Sequence, residues 1–177
     1  LREFAPADWQ AVHEYGGDLQ VCEFLDWGPN STRETKEFIK RAMRSAKDKP
    51  RIAYDLAITL KGEDQAVGAI ALMLTGFPPN QALIGFVLNR RNWSNGVMSE
   101  AVMAMIGFGF ETLKLHRIGA ICDAQNTASY RVMEKCGMRR EAHFIQDKFV
   151  KGHWRDSFYY AMLANEWAEG KLKQGSS

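Results

Sequence analysis

The stretch with the clearest chemical potential runs Arg90-Arg91-Asn92-Trp93-Ser94-Asn95-Gly96-Val97-Met98-Ser99-Glu100-Ala101. It sets small residues where an apolar strand pattern gives way to a helical one. The first backbone N–H groups of a helix lack intrahelical acceptors, and the helix dipole adds to their pull on an anion. Such a turn can hold a phosphate or pyrophosphate, and Gly96 permits close backbone approach. A capped helix with one glycine is also common without any ligand. The spacing is neither GxGxxG nor GxxxxGKS/T, which counts against dinucleotide and mononucleotide folds.

Other reactive residue types offer less. Cys22, Cys122 and Cys136 are odd in number and lack CxxC spacing, which disfavours a disulfide framework and a zinc site and suits a reducing cytoplasm. His13, His116, His143 and His153 are scattered without metal-ligand spacing, so no metal is expected. The 23 Lys+Arg and 21 Asp+Glu leave a formal charge of +2. That balance argues against nucleic acid as the main partner, which needs a concentrated basic face. No apolar run approaches the roughly 18–20 residues that span a bilayer, and no signal peptide is visible. A cytoplasmic location and no membrane partner are the expectations.

The elements that must position these residues fit one domain. The chain has 177 residues, 46% hydrophobic, enough to build one core. It starts at Leu1 rather than Met, which reads as a trimmed start, and a first strand is expected at Leu1–Phe4. Pro6-Ala7-Asp8 opens a short helix with Trp9, Val12 and Tyr15, and Asp26-Trp27-Gly28-Pro29 is a turn. Ser31 with Glu34 three residues on has capping-box spacing for a helix to about Lys47. Asn30-Ser31-Thr32 also matches a glycosylation acceptor, but the helix start is the preferred reading. Ile52–Leu60 and Ala66–Thr75 read as a hairpin ended by Pro78-Pro79-Asn80, with a third strand at Ala82–Leu88. A long helical pattern covers about Asn95 to Leu115, carried by Val102, Met105, Ile106, Gly109 and Leu113. Then come a strand at Arg117–Cys122, a helix from Thr127 to Cys136 between Asn126 and Gly137, and strands at Met138–Val150 and Trp154–Leu163. The sum is an α+β domain over residues 1–165, with 166–177 as a tail ending in Gly175-Ser176-Ser177.

Several of these segments resemble the GNAT N-acetyltransferases, and more closely the RimJ/RimL branch. The resemblance lies in Ile84-Gly85-Phe86-Val87-Leu88, Trp93-Ser94-Asn95-Gly96 and Ser99-Glu100-Ala101, with Leu115-His116-Arg117-Ile118, Asn126-Thr127-Ala128-Ser129, Glu134-Lys135-Cys136-Gly137-Met138 and Lys151-Gly152-His153-Trp154-Arg155-Asp156 downstream. Phe24-Leu25-Asp26-Trp27 fits the start. The resemblance implies a mixed, mostly antiparallel, V-shaped seven-stranded sheet flanked by helices. It implies that the pantetheine arm of acetyl-CoA pairs with Phe86, Val87 and Leu88, and that Trp93, Ser94, Asn95, Gly96, Val97, Met98 and Ser99 receive the pyrophosphate. Asn126 would face the other side of the donor. Acetyl transfer would go directly to a primary amine in a ternary complex, which is proximity catalysis with proton management. Within the branch, the acceptor is expected to be a protein N-terminal α-amine, perhaps of a ribosomal protein. The runner-up is a small amine such as a polyamine, an amino acid derivative or an aminoglycoside, and Asp18, Glu23 and Asp26 are candidates for an acidic groove. A non-catalytic acyl-CoA sensor is the alternative outside the enzyme class. The branch also includes homodimers.

Three departures bear on mechanism. Many GNAT enzymes place a tyrosine acid seven residues after the asparagine, where this chain has Met133; the branch offers a serine instead, which maps to Ser129. Ser94 replaces the first glycine of the usual loop. Some relatives carry a glutamate base where Lys148 stands, leaving Asp147, His143 or a water relay, although strand alternation sends Asp147 to the opposite face. Trp27 is a candidate for the acceptor pocket. Tyr130 is expected to face away, Cys136 and Cys122 to pack, and Arg90 and Arg91 either to draw in phosphates or to be solvated.

Overall fold

The computed structural model describes residues 1–75 and 80–174. Pro78 and Pro79 of the expected turn, and Gly175-Ser176-Ser177, lie outside the described residues. Along the chain run β1 (Arg2–Glu3), α1 (Trp9–Gly16), α2 (Thr32–Ser45), β2 (Ala53–Thr59), β3 (Ala66–Thr75), β4 (Gln81–Leu88), α3 (Val97–Gly107), β5 (Arg117–Asp123), α4 (Thr127–Lys135), β6 (Arg139–Val150), β7 (His153–Leu163) and α5 (Ala164–Gln174). The strands form one seven-stranded sheet in the order β1-β2-β3-β4-β5-β7-β6.

Every strand pair is antiparallel except β4 with β5. That parallel pair holds only at Gln81↔Arg117, Ala82↔Ile118 and Leu83↔Gly119. From Ile84 and Ala120 onward the two strands part, and the sheet opens into a V.

The sheet has a hydrophobic cluster on each face. Ile70, Leu72, Ile84 and Ile118 pack with Val102, Met105 and Ile106 of α3 and with Met133 of α4. Ala57, Ala66 and the partly buried Ala69 and Val87 pack on the other face with Val12 and Tyr15 of α1 and Ile39 and Ala42 of α2. The start of α2 is the capping box expected from sequence: Glu34 N donates to Ser31 Oγ at 3.3 Å, and Ser31 N donates to Glu34 Oε2 at 2.7 Å.

Two segments differ from the sequence reading. The pattern at 95–115 is α-helical only through Gly107 and then widens into a π turn over Phe108–Thr112. Gly107 and Gly109 weaken the α preference there. A Cβ on Gly109 would sit 2.7 Å from Ile118 Cδ1, so the chain presses closely on β5. The expected tail instead begins as α5, because Trp167 gives it a packing partner: its ring lies 6.3 Å from that of Phe110, and its Nε1 donates to Glu111 Oε1 at 2.8 Å.

Candidate active site

The divergence of β4 from β5 opens a cavity of about 610 Å³. Its floor is the face of β3 and β4 beneath α1 and α2, contributed by Ala69, Ala71, Gly85 and Val87. Asp55 of β2 joins it from the side. One wall comes from the segment between α1 and α2 (Glu23, Phe24, Leu25, Asp26, Trp27) and from Glu34, Glu37, Phe38 and Arg41 of α2. The opposite wall is Ile121 and Asp123 of β5, Asn126 and Ser129 at the start of α4, and Lys148 and Arg155 of the β6–β7 hairpin. Lys151, at the hairpin tip, donates from Nζ to the Cys22 carbonyl oxygen and ties the two walls together.

The loop after β4 is built for exposed backbone. Trp93 Nε1 donates to the Leu88 carbonyl at 2.9 Å and pins the loop to the end of the strand. Gly96 is the N-cap of α3 at φ 79, with no side-chain cap bond on the helix terminus. A Cβ on Gly96 would meet nothing within 4 Å. Ser94 takes φ 62, so it keeps the left-handed backbone of the glycine it replaces. Such a terminus, with open space before it, fits a pyrophosphate-bearing donor. The open β5-facing edge of β4 beyond Leu83 fits an extended pantetheine arm. The seven loop residues lie beyond the cavity wall, and Met98 is buried in the core, so its side chain is packing and only its backbone N–H could meet a ligand.

Asn126 and Ser129 come together at the cavity. Ser129 N donates to Asn126 Oδ1 at 3.0 Å, which caps α4 and fixes the serine at the wall. Trp27 also lines the cavity, with 38% of its surface exposed. Of the acidic candidates, Glu23 and Asp26 line it, whereas Asp18 pairs with Arg90 at 3.4 Å. Arg91 pairs with Glu14 at 3.7 Å.

The base candidates fall elsewhere. Asp147 is exposed and not on the wall; Lys148, one residue on, takes the inward position, as alternation requires. His143 is exposed, with Nε2 3.0 Å from Asp156 Oδ2 and its ring edge-on to Phe158 at 4.8 Å. Neither reaches the cavity wall. Tyr130 also packs on Phe158, at 5.7 Å, away from the wall.

The thiols are poor nucleophiles. Burial pushes Cys122 up to about 12 and Cys136 up to about 11, and it raises Cys22 as well. A thiol that high holds almost no thiolate near neutral pH. Among the described residues there is no cluster of three or more His, Cys, Asp or Glu that could hold a metal ion, and no helix is long and apolar enough to cross a membrane.

Sequence reading missed Asp55, Glu34, Glu37, Phe38, Arg41 and Arg155 as lining residues. Asp55 did leave a signal, a lone carboxylate inside the apolar run Ile52–Leu60. The α2 residues left none, because a solvated helix face and a cavity wall have the same composition.

Comparison with known proteins agrees with this geometry. Residues 1–139 match the family described as Acetyltransferase (GNAT) domain. The chain is 38% identical over 168 residues, 94% of each chain, to the uncharacterized N-acetyltransferase YnaD of Bacillus subtilis. A crystal structure of a GNAT-family acetyltransferase from Bacillus anthracis superposes with a TM-score of 0.82 at 36% identity, covering 93% of each chain. The RimL ribosomal L7/L12 α-N-protein acetyltransferase, solved with coenzyme A, shares the fold with a TM-score of 0.81 at 20% identity over 92% of each chain. A V-shaped sheet, an uncapped helix start after β4 and a family match across most of the chain lead to one conclusion: this chain belongs to the GNAT family and is an acetyl-CoA-dependent N-acetyltransferase with RimJ/RimL-like relatives.

Proposed function

We propose that the protein acetylates a small amine carrying more than one positive charge, by direct transfer from acetyl-CoA in a ternary complex. Kinship does not choose the acceptor. The matched proteins include the spermidine N(1)-acetyltransferase of Vibrio cholerae and the ribosomal protein uS5 alanine N-acetyltransferase of Escherichia coli. The observation that favours a polycation is the wall built by α2 and its preceding segment together with β2. It carries Glu23, Asp26, Glu34, Glu37 and Asp55 against one cation, Arg41, among the described residues. A second ammonium about 4 Å from a second carboxylate adds on the order of 1–4 kcal/mol between the bulk-water and protein-surface limits. That is roughly fivefold or more in affinity over a monoamine. A protein N-terminus, the acceptor expected from the branch, offers a single ammonium and gains less from this wall.

Acetyl-CoA supplies the activated acyl group when bound. The chain's residues then bind, orient and move protons. The open edge of β4 at Phe86, Val87 and Leu88 aligns the donor, and backbone N–H groups there polarise its carbonyl. The first N–H groups of α3, at Val97, Met98 and Ser99, hold the pyrophosphate. Ser129 donates its Oγ proton to the leaving thiolate, and the proton that the attacking nitrogen loses as the amide forms returns to Ser129 through water. With Asp147 and His143 off the wall, the acceptor sheds its proton to water before attack.

The test is CoA release, read with a thiol-reactive dye, across diamines, polyamines, monoamines, aminoglycosides and N-terminal peptides. Turnover led by diamines or polyamines is expected. Preference for peptides without a further charge contradicts the acceptor. If CoA raises the melting temperature by mass action but no amine is acetylated, the protein is an acyl-CoA-binding module instead.

A further inference from the structure

The sheet face beneath α1 and α2 can be read in rows across β2, β3 and β4. Cross-strand partners give Ala53/Met73/Leu83, Asp55/Ala71/Gly85 and Ala57/Ala69/Val87. Successive side chains on a strand alternate faces, so each row lies on one side of the sheet. The third row packs under α1 and α2, which fixes the side on which Asp55, Ala71 and Gly85 stand. The middle row is therefore a carboxylate followed by a methyl and a hydrogen. A Cβ added to Gly85 would meet nothing within 4 Å, so space is open above it. All three residues line the cavity. Two strand spacings, roughly 10 Å, separate the Asp55 backbone from β4.

A carboxylate in the interior of a strand is costly unless something compensates it. Asp55 is half-buried, and among the described residues it forms no ion pair. Its cationic neighbours have other engagements. Arg51 donates to both Glu3 carboxylate oxygens, at 2.7 and 3.1 Å, and to the Ala53 carbonyl at 2.9 Å. The Arg41 guanidinium lies 5.7 Å from the centre of the Phe38 ring. Burial accordingly holds the Asp55 carboxyl above its usual range, with Arg41 and Arg51 opposing and Glu3 adding to the shift.

We infer that Asp55 is the specificity carboxylate that holds the acceptor's second, non-reacting ammonium, and that Ala71 and Gly85 keep open the lane from it to the edge of β4. A chain of a few carbons spans that lane and leaves the reacting amine at the open edge. This assignment rests on the polycationic reading of the acceptor. It adds to it one residue and one direction of approach.

The experiment compares kcat and KM for a diamine and a monoamine of matched length in the wild type, Asp55→Asn and Gly85→Val. The diamine-over-monoamine ratio of kcat/KM is expected to fall about tenfold in Asp55→Asn, the size of one lost ion pair, with the loss in the diamine KM rather than in kcat. Gly85→Val, whose added carbons enter open space rather than core, keeps the fold and lowers the ratio by filling the lane. A wild type that prefers diamines, with that preference intact in Asp55→Asn, overturns the assignment and leaves the acceptor reading standing. A wild type with no diamine preference, or with no turnover of any amine, overturns both. Melting curves in each variant separate these outcomes from loss of fold.

Discussion

In the proposed mechanism Ser129 and Asp55 carry different parts of the chemistry, and their substitutions should separate accordingly. Removing a proton donor in the transition state costs typically 10²–10⁴-fold in rate. Ser129→Ala is expected to lower kcat by about 10²-fold while leaving the acetyl-CoA KM close to that of the wild type, read by CoA release. Equal rates in both proteins would remove Ser129 from the proton path. Asp55 also makes a statement about stability. Its carboxyl is raised in the folded state, so the native protein binds more protons than the unfolded chain between the ordinary value of 3.8 and the raised one. Stability from this group therefore falls as pH rises through that window, and it stays lower above it. Asp55→Asn is expected to melt at a higher temperature than the wild type at pH 7, with the difference closing toward pH 3. A lower melting point at pH 7 would mean that the charge is compensated within the protein. The three cysteines give a further reading: buried and raised, they should react with a thiol reagent only as fast as the protein opens, and all three together on unfolding.

The loop before α3 is where local conformation meets the proposed pyrophosphate site. Gly96 at φ 79 tolerates no side chain without strain, and the left-handed region costs an L-residue roughly 1–2 kcal/mol. Gly96→Ala should lower the melting temperature by several degrees, at about 2–4 °C per kcal/mol for this chain length, and weaken CoA binding by calorimetry. An unchanged affinity would move the pyrophosphate away from this turn. Most elements were legible because their signals are local: the Ser31–Glu34 box, the Asn126 and Gly137 helix ends, and the alternation of the two hairpins. The π turn at Phe108–Thr112 was not, since it answers to Gly109 lying against Ile118, a contact across 9 residues of chain and between two elements. α5 was missed for a similar reason, because a polar helix with one tryptophan reads as a tail until Phe110 and Glu111 are beside it. At the site, the glycine-started α3 and the Asn126 cap that holds Ser129 were legible from motif order. The acidic side of the cavity was not: which of many acids on α2 and β2 face a common space depends on strand register and on how α2 docks.

As a whole, the molecule is a sheet whose two halves agree for three residue pairs and then separate. Each face of the sheet has its own helices, α1 and α2 on one and α3 and α4 on the other, and the cavity lies where the halves part. Lys151, reaching the Cys22 carbonyl, joins the tip of the β6–β7 hairpin to the segment between α1 and α2. Such an architecture needs no covalent intermediate. In the proposed mechanism donor and acceptor meet side by side in the cavity, and the thiols are buried and protonated. The direct test of this is initial-rate kinetics with acetyl-CoA and the best amine varied together, alongside the intact mass of the enzyme after acetyl-CoA alone. Intersecting double-reciprocal lines and an unmodified chain are the result expected of a ternary complex. Parallel lines with an acetylated chain would contradict it, and the acetylated residue would then be a covalent nucleophile.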